Sequence, residues 1–529
     1  MYLIKNNMKT ITKIFLALSM LFSLASCDDW LSESQPAVTA LSDYYTSGAT
    51  GIYTTNAAYV PLDWEYNDTY YSEFFIGDIM SDDALKGGQN ISDMSDAYDM
   101  ENFKTIANNG LILDYYRAQY QGIGRCNLGV REVPLIDVDS TMTAEVQSRL
   151  MGELKFLRAM YYFKLVRVFG GVPLVDFVIE SADNWQQPRA TADEIYDFIL
   201  EDLEDAQGLL WKKSTYADTD LGRATKGAAQ AMLLKVNLYR QNYTEAERWG
   251  DSIMSSGEYD LYANYADNFK LENENGIESV FEVQYSEDPT SDFGEGNGFT
   301  RGTFTTILTR SRSSLLGGGW GFNKPTQNLY DEYEDNDPRR DATILNPTDD
   351  EIENVEQEIY LGSRYLNRKT GWYDDDNEAY ELDHNSRGPL NRIDIRYADV
   401  LLMYAEAACE NGNLTGAKSA LEYVRDRADT TVARSILPEF PDYNDYSDTQ
   451  DDLRKAIRHE RRVELAMEGH RWYDICRWGI AKEVMDAYKA SETEDASSHM
   501  AEFIEGKHEL LPIPSKEIAL NPMDQNPYY

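Results

Sequence analysis

The residues that could support catalysis do not complete any known catalytic arrangement. His459-Glu460 is half of a zinc-peptidase motif, which requires a second His four residues after the first, but position 463 is Val. The chain contains no GxxxxGK[ST] phosphate-binding loop and no GxSxG nucleophile elbow. The glycines of 294–298 lack the dinucleotide-binding spacing. We therefore expect a protein that is not an enzyme.

Acidic residues are the second group with potential chemistry. The chain has 92 Asp and Glu among 529 residues, so a glycosidase-like carboxylate pair cannot be told from chance neighbours. The run Asp374–Asp376 offers the hard oxygen ligands that calcium needs. It lacks the alternating spacing and the Gly of an EF-hand loop, so an exposed charge run is the preferred interpretation. We expect no cofactor, with a structural calcium ion as the alternative.

The overall charge limits the partners. Acidic residues outnumber the 49 basic ones, which gives a formal charge of −43. A field of that sign repels nucleic acid and anionic lipid surfaces, so neither is an expected partner. Hydrophobic residues make up 42% of the chain and charged residues 27%, as in folded soluble proteins.

The first residues form an export signal. Three lysines precede one apolar run, Ile14–Leu24, which is too short to be a stable membrane span. The start is either Met1 or Met8. The run ends in Leu-Ala-Ser-Cys27, which resembles a bacterial lipobox and implies cleavage before Cys27 and acylation of that residue. We therefore assign 1–26 to a lipoprotein signal peptide and 27–40 to a lipidated tether.

The body of the chain, 41–529, is expected to be mainly α-helical. Apolar residues recur with a period near 3.6 in 144–169, and Gly170-Gly171 end this helix. Further predicted helices lie near 192–210, 224–241, 244–256, 396–411, 415–427 and 450–468. Two segments, Asn242–Ala246 and Asn413–Ala417, both look like the turn of a tetratricopeptide (TPR) helix pair. The two copies are 171 residues apart, so we expect a TPR-like scaffold that a long insertion interrupts.

The predicted scaffold covers about 110–260 and 391–490. Irregular regions at about 60–109 and 262–390 carry glycine-rich stretches, acidic runs and scattered aromatic residues. Loops on a rigid frame are where binding residues usually lie, so these regions are expected to carry the ligand surface. A C-terminal segment, 505–529, is expected to form a strap over the scaffold.

Four segments carry a family resemblance. They are, in chain order, Glu153–Leu174, Ile395–Ala407, Ile457–Gly479, and Leu511–Ser515 together with Gln525–Tyr529. Each resembles a signature stretch of the SusD/RagB family, and the order is the same. The resemblance implies an outer-membrane, cell-surface lipoprotein of Bacteroidetes that captures nutrients. It also implies a partner, a SusC-like TonB-dependent transporter, on which such proteins act as a lid.

Glycan contacts are expected in the loops. Trp320 follows three glycines in 317–322, and its indole is expected to stand exposed as a stacking platform for a sugar ring. Trp64 and Trp372 are further aromatic candidates. Asp82 and Asp83 are candidates to accept hydrogen bonds from sugar hydroxyls.

Two alternatives stay open. A RagB-like lid would bind peptide rather than glycan, and it would need a deep cleft with backbone hydrogen-bonding groups. A TPR-like adaptor would bind no nutrient, although such a protein has no need of Trp in glycine-rich loops. Membrane contact is expected through the lipid anchor only.

Overall fold

Packed α-helices form the frame of the molecule. The computed structural model describes residues 44–65, 72–181, 183–291, 300–352, 354, 358–374, 376–428 and 437–529. The expected lipidation site Cys27, its lipobox and the 294–298 glycines lie outside the described residues. Residues from Ser47 onward form one compact unit.

The described residues contain nineteen α-helices and six short strands. The helices are α1 (Gly48–Tyr59), α2 (Phe74–Gly77), α3 (Ser95–Glu101), α4 (Gly110–Glu132), α5 (Ala144–Phe169), α6 (Ala192–Leu209), α7 (Lys226–Tyr239), α8 (Tyr243–Met254), α9 (Thr305–Thr309), α10 (Gln327–Glu332), α11 (Pro338–Thr343), α12 (Arg368–Gly371), α13 (Tyr397–Glu410), α14 (Leu414–Arg427), α15 (Gln450–Glu464), α16 (Arg471–Arg477), α17 (Ala481–Ser491), α18 (Glu494–His499) and α19 (Ser515–Leu520). The strands are β1 (Ala84–Gly87), β2 (Ser279–Val283), β3 (Phe322–Pro325), β4 (Ile344–Leu345), β5 (Leu366–Asn367) and β6 (Arg392–Arg396). The expected mainly helical class is confirmed.

Local signals set the ends of α5. The Thr143 side chain caps its first turn by accepting a hydrogen bond from the Val146 N–H. The helix ends at Gly170, whose φ of 70° would strain a residue with a side chain. The predicted helix is therefore confirmed at both ends. Its neighbours α4 and α6 pack along it, which buries nearly all of its apolar side chains.

The two TPR-like helix pairs lie side by side in space. The pairs are α7–α8 and α13–α14, and α8 packs directly on α13. A Cβ at Gly250 would come within 2.7 Å of the Tyr404 ring, so the small residue allows the close helix approach. The Glu247 carboxylate accepts hydrogen bonds from the Asn411 and Asn413 side chains at 2.6 and 2.7 Å. The segment of about 140 residues between α8 and α13 is thus an insertion in sequence that leaves the helical array continuous.

Three two-stranded antiparallel sheets lie within the irregular regions or join them to the scaffold. They pair β1 with β3, β2 with β6, and β4 with β5. The first pair is notable because β1 belongs to the 60–109 region and β3 to the 262–390 region. These two irregular regions are therefore joined to each other by a β-sheet.

The C-terminal residues lie across the ends of α4 and α5. The Leu511 N–H donates to the Val168 carbonyl at 2.8 Å, and the Asn526 amide donates to the carbonyls of Phe169 and Leu511. Arg117 and Glu517 form an ion pair at 2.7 Å. None of the helices in the described residues is long and apolar enough to span a membrane.

Candidate functional site

One buried arginine joins the two loops that carry the tryptophan candidates. Arg310 follows α9, and its Nε donates to the Gly371 carbonyl at 2.7 Å. Its Nη2 donates to the carbonyls of Trp372 at 3.2 Å and Tyr380 at 2.8 Å. Three bonds from one guanidinium therefore fix the 371–380 loop against the 310–321 loop. This arrangement could not be deduced from sequence, because the partners are 61 to 70 residues away along the chain.

The glycines before Trp320 are required by packing as well as by backbone conformation. Gly317 has φ of 90°, and a Cβ there would lie 2.5 Å from the Cβ of Ala379 in the other loop. At Gly319, a Cβ would lie 2.4 Å from the Cβ of Arg310. Glycine at 317 thus allows the two loops to approach each other closely, and glycine at 319 allows the backbone to pass close to Arg310 within the first loop.

Trp320 is half-buried. Its backbone N–H donates to the Ile307 carbonyl at 2.9 Å, and its backbone carbonyl accepts from Arg312 Nη1 at 3.2 Å. Its ring meets the ring of Phe304 edge to face, with centroids 5.3 Å apart. One edge of the indole is therefore anchored on α9, while part of the ring stays accessible. The glycines expose the indole less than the sequence predicts.

Trp372 is half-buried and stacks on Tyr380. Their ring centroids are 4.9 Å apart with an interplanar angle of 26°. Tyr380 is 47% exposed, so it presents an aromatic face that the sequence gave no reason to select. The Arg310 guanidinium lies 6.0 Å from the Trp372 ring centroid. We define Trp320, Trp372 and Tyr380 as the aromatic cluster.

Asp374 closes the turn between Trp372 and Tyr380, whereas Asp375 of the 374–376 run lies outside the described residues. The Asp374 carboxylate accepts the N–H groups of Asp376 and Glu378 at 2.9 and 2.8 Å. Among the described residues, no group of three or more His, Cys, Asp or Glu side chains is arranged to hold a metal ion. The observed role of Asp374 is to shape the loop that carries Tyr380.

Trp64 does not have the expected exposure. It is 1% exposed, and the Arg125 guanidinium covers its ring at 5.1 Å from the centroid. An indole in this position has no face free for a sugar ring, so the expectation for Trp64 is wrong for this structure. Polar residues follow Trp64 in the sequence, and for this reason its burial was not predicted.

Asp82 and Asp83 are also buried rather than exposed in a loop. Asp82 pairs with Arg462 at 2.9 Å and with Arg471 at 2.8 Å, and Asp83 pairs with Arg462 at 2.8 Å. Although burial alone would raise it, these two arginines hold the pKa of Asp82 well below its usual range. Carboxylates that are already bound in this way do not accept from a sugar, so the expectation for both residues is wrong. They attach the 72–88 segment to the end of the scaffold.

The arginines and glutamates of the Ile457–Gly479 motif form buried ion pairs. Their partners are distant along the chain. Glu464 pairs with Arg396 at 2.6 Å, with Arg339 at 3.0 Å and with Arg427. The helix α15 ends at Glu464 rather than near 468.

Two family profiles cover most of the chain. A profile described as "SusD family" matches residues 277–529, and one described as "Starch-binding associating with outer membrane" matches residues 40–238. The chain belongs to the SusD/RagB family. A SusD-like protein of Formosa agariphila is 26% identical over 97% of this chain and 97% of its own length.

Solved structures of the family share this fold. A laminarin-binding SusD-like protein is 28% identical, with a TM-score of 0.75, over 92% of this chain and all of its own. Surface glycan-binding protein A from Bacteroides thetaiotaomicron, solved in complex with laminarihexaose, is 25% identical with a TM-score of 0.76, over 91% of this chain and all of its own. The SusD-like fold of this chain is thereby established, and both of these relatives bind glycans.

Proposed function

We propose that this chain is a cell-surface lipoprotein that binds an oligo- or polysaccharide and delivers it to a SusC-like TonB-dependent transporter, on which it acts as a lid. The observation that carries the glycan part is the aromatic cluster, held by Arg310 on the irregular side of the molecule. The proposed location at the outer membrane is supported by the lipobox and by the family. Glycan-binding relatives of the same fold support the ligand class.

The physical basis of binding is stacking. Exchange of water for protein by a sugar hydroxyl gives little net free energy, so hydrogen bonds mainly determine specificity. Stacking of the apolar face of a sugar on an aromatic ring contributes about 1–3 kcal/mol if it resembles stacking of nucleic-acid bases. Two such platforms contribute about 2–6 kcal/mol, so the expected dissociation constants lie between about tens of micromolar and the millimolar range or weaker. This range suits a lid, because the closed transporter beneath it retains the captured ligand.

The neutral class of glycan is favoured over sulfated or uronic polymers. The protein carries a formal charge of −43, which repels polyanions. Laminarihexaose, the neutral ligand of the relative above, is therefore the first glycan to test, within a panel of neutral, sulfated and uronic oligosaccharides. We expect no turnover, so the chain length of each oligosaccharide should be unchanged after incubation.

The deciding experiment is calorimetry of wild type and tryptophan variants. We expect Trp320→Ala to abolish detectable binding of the cognate glycan and Trp372→Ala to weaken it, with the fold intact by circular dichroism. Trp185→Ala is the matched control, because Trp185 is 44% exposed and lies outside the cluster. Unchanged affinity in Trp320→Ala would place the site elsewhere. Binding of peptides in place of every glycan would favour the RagB-like alternative.

A further inference from the structure

A cavity of about 90 Å³ lies between the insertion and the scaffold. By the measure of 10–15 Å³ for each water, it has room for about six water molecules or one small ligand. Much of its wall is apolar, formed by Phe74, Phe269, Leu390, Ile393 and Met467. The side chains of Phe269 and Leu390 are only half-buried, so the cavity reaches solvent at this rim.

One buried polar atom of the wall lacks a partner. Asn323 is 1% exposed, and its Nδ2 donates to Asp78 Oδ2 at 3.1 Å. Since the carboxylate requires a donor, this bond determines which way the amide points. The Asn323 Oδ1 atom is left buried without a hydrogen-bond donor from the described residues. Such an acceptor costs about 1–3 kcal/mol unless a ligand or water supplies a donor.

Two carboxyl groups of the wall, Asp78 and Glu274, accept hydrogen bonds from backbone N–H groups. Among the described residues, neither Asp78 nor Glu274 forms an ion pair. Asp78 accepts the Gly469 N–H at 2.8 Å, and Glu274 accepts the Asn391 N–H at 2.7 Å. Burial raises the pKa of each carboxyl to about 7.

The cations in the wall are already occupied. Lys369 donates to the Ala466 carbonyl and to Glu468, both at 2.7 Å. Arg392 donates to Asp394 at 3.0 Å and to the Leu62 carbonyl at 3.2 Å. The groups that remain available to a ligand are therefore hydrogen-bond acceptors and carboxylates.

We propose that this cavity binds a small organic cation, a protonated primary amine on a compact apolar body. An ammonium group has three donors and no acceptor, which matches the free Asn323 oxygen and the two carboxylates. The apolar wall takes the hydrocarbon body, and each buried CH₂ group contributes about 0.8 kcal/mol. A neutral alcohol offers one donor and no charge, and a carboxylate ligand would be repelled.

This site is separate from the aromatic cluster. The residues that line the cavity include Thr305 and Thr306 of α9 but not Trp320, Trp372 or Tyr380. The inference therefore does not depend on glycan binding. Loss of glycan affinity in Trp320→Ala should leave amine binding unchanged.

The test compares probes that share one tail. n-Butylamine, 1-butanol and sodium butyrate are titrated into the full chain at pH 8, with KCl at equal ionic strength, and binding is followed by NMR and by the melting temperature. At this pH the amine, with a pKa near the lysine value of about 10.4, is protonated and the two carboxyls are mostly ionised. We expect millimolar binding of the amine, with the alcohol and butyrate weaker by about tenfold or more.

The variants locate the binding. Glu274→Gln should weaken amine binding by about fivefold to tenfold. Glu272→Gln, the same change at an exposed position two residues away, should have no effect. The proposal is overturned if no probe binds and the cavity holds only water, if butanol binds as tightly as the amine, or if KCl reproduces the stabilisation. Equal weakening in both variants would also overturn it, since the effect would then reflect net charge alone.

Discussion

Arg310 Nη2 donates to the carbonyl oxygen of Tyr380 at 2.8 Å, and this bond connects loops 70 residues apart. Nε of the same guanidinium reaches Gly371 at 2.7 Å. Arg310 is buried, so these bonds are shielded from water. The Arg310 side chain thus helps to set the position of the Trp372–Tyr380 stack relative to the Trp320 loop, together with the Thr309–Thr370 hydroxyl contact at 2.9 Å.

We expect Arg310→Lys to lower the free energy of unfolding and to weaken glycan binding. Lysine keeps the charge but cannot reach three carbonyls at once, and hydrogen bonds from a charged group contribute about 1.5–3 kcal/mol each. A loss of about 2–3 kcal/mol is therefore expected in urea unfolding. Arg301→Lys is the control, since the Arg301 side chain is largely exposed. Unaltered glycan affinity in Arg310→Lys would show that the aromatic cluster binds glycan without the three hydrogen bonds of Arg310.

Lipidation at Cys27 is the second prediction. Acylation of this residue should anchor the mature protein at the cell surface, because several acyl chains on one residue give stable membrane binding. Metabolic labelling with a fatty-acid probe should mark the wild type and fail to mark Cys27→Ala. Protease treatment of intact cells should then remove the protein from the surface. Label that persists in Cys27→Ala, or an absence of label in wild type, would contradict the assignment.

The helical frame could be predicted because its signals are local. The period of apolar residues and the glycine after Phe169 give the position of α5 without reference to the rest of the chain. The TPR-like pairs were recognisable for the same reason. The end of α15 was predicted about four residues too late, because the helix is followed by turns in which Met467 has a positive φ of 62°.

The candidate site was only partly predictable, because exposure depends on long-range contacts. Trp320 and Trp64 both lie in polar, irregular sequence, yet one is half-exposed and the other is covered by Arg125. Asp82 and Asp83 have the composition of a solvated loop, and only the fold brings Arg462 to them. Pairings across almost 400 residues have no local signature.

The third prediction concerns pH. His459 lies between two carboxylates, with Nδ1 2.7 Å from Glu332 and Nε2 3.3 Å from Glu334. Burial alone would lower the pKa of His459, but these carboxylates raise it to about 9. Because this value lies above the unfolded value of about 6.5, the stabilisation is complete below pH 6.5 and is lost as pH rises through about 9.

Urea unfolding of wild type and His459→Gln at pH 6, 7.5 and 9.5 measures this effect. We expect His459→Gln to lose about 2–3 kcal/mol at pH 6, and the difference from wild type to shrink towards pH 9.5. His499→Gln controls for the substitution itself at a second half-buried histidine. A difference that is the same at all three pH values would contradict the assignment of charge to His459.

The last prediction tests the buried ion network of α15. Glu464 is fully buried and pairs with three arginines, Arg339, Arg396 and Arg427. Although burial alone would raise it, these guanidinium groups hold the pKa of Glu464 well below its usual range. Glu464→Gln keeps the shape but removes a carboxylate that pairs with three buried arginines at once, and removal of one member of a buried ion pair costs about 3–5 kcal/mol. The melting temperature should fall accordingly.

Glu410→Gln is the matched control for this change. Glu410 pairs with Arg454 nearer the surface, where ion pairs contribute about 0–1 kcal/mol, so a small effect is expected. Since Arg396 and Arg339 belong to the insertion side, Glu464→Gln should also increase hydrogen exchange in 337–343 and 392–396, while α4 and α5 stay protected. Uniform exchange throughout the chain would mean that the network stabilises the whole fold rather than the attachment of the segment between α8 and α13 to the helical frame.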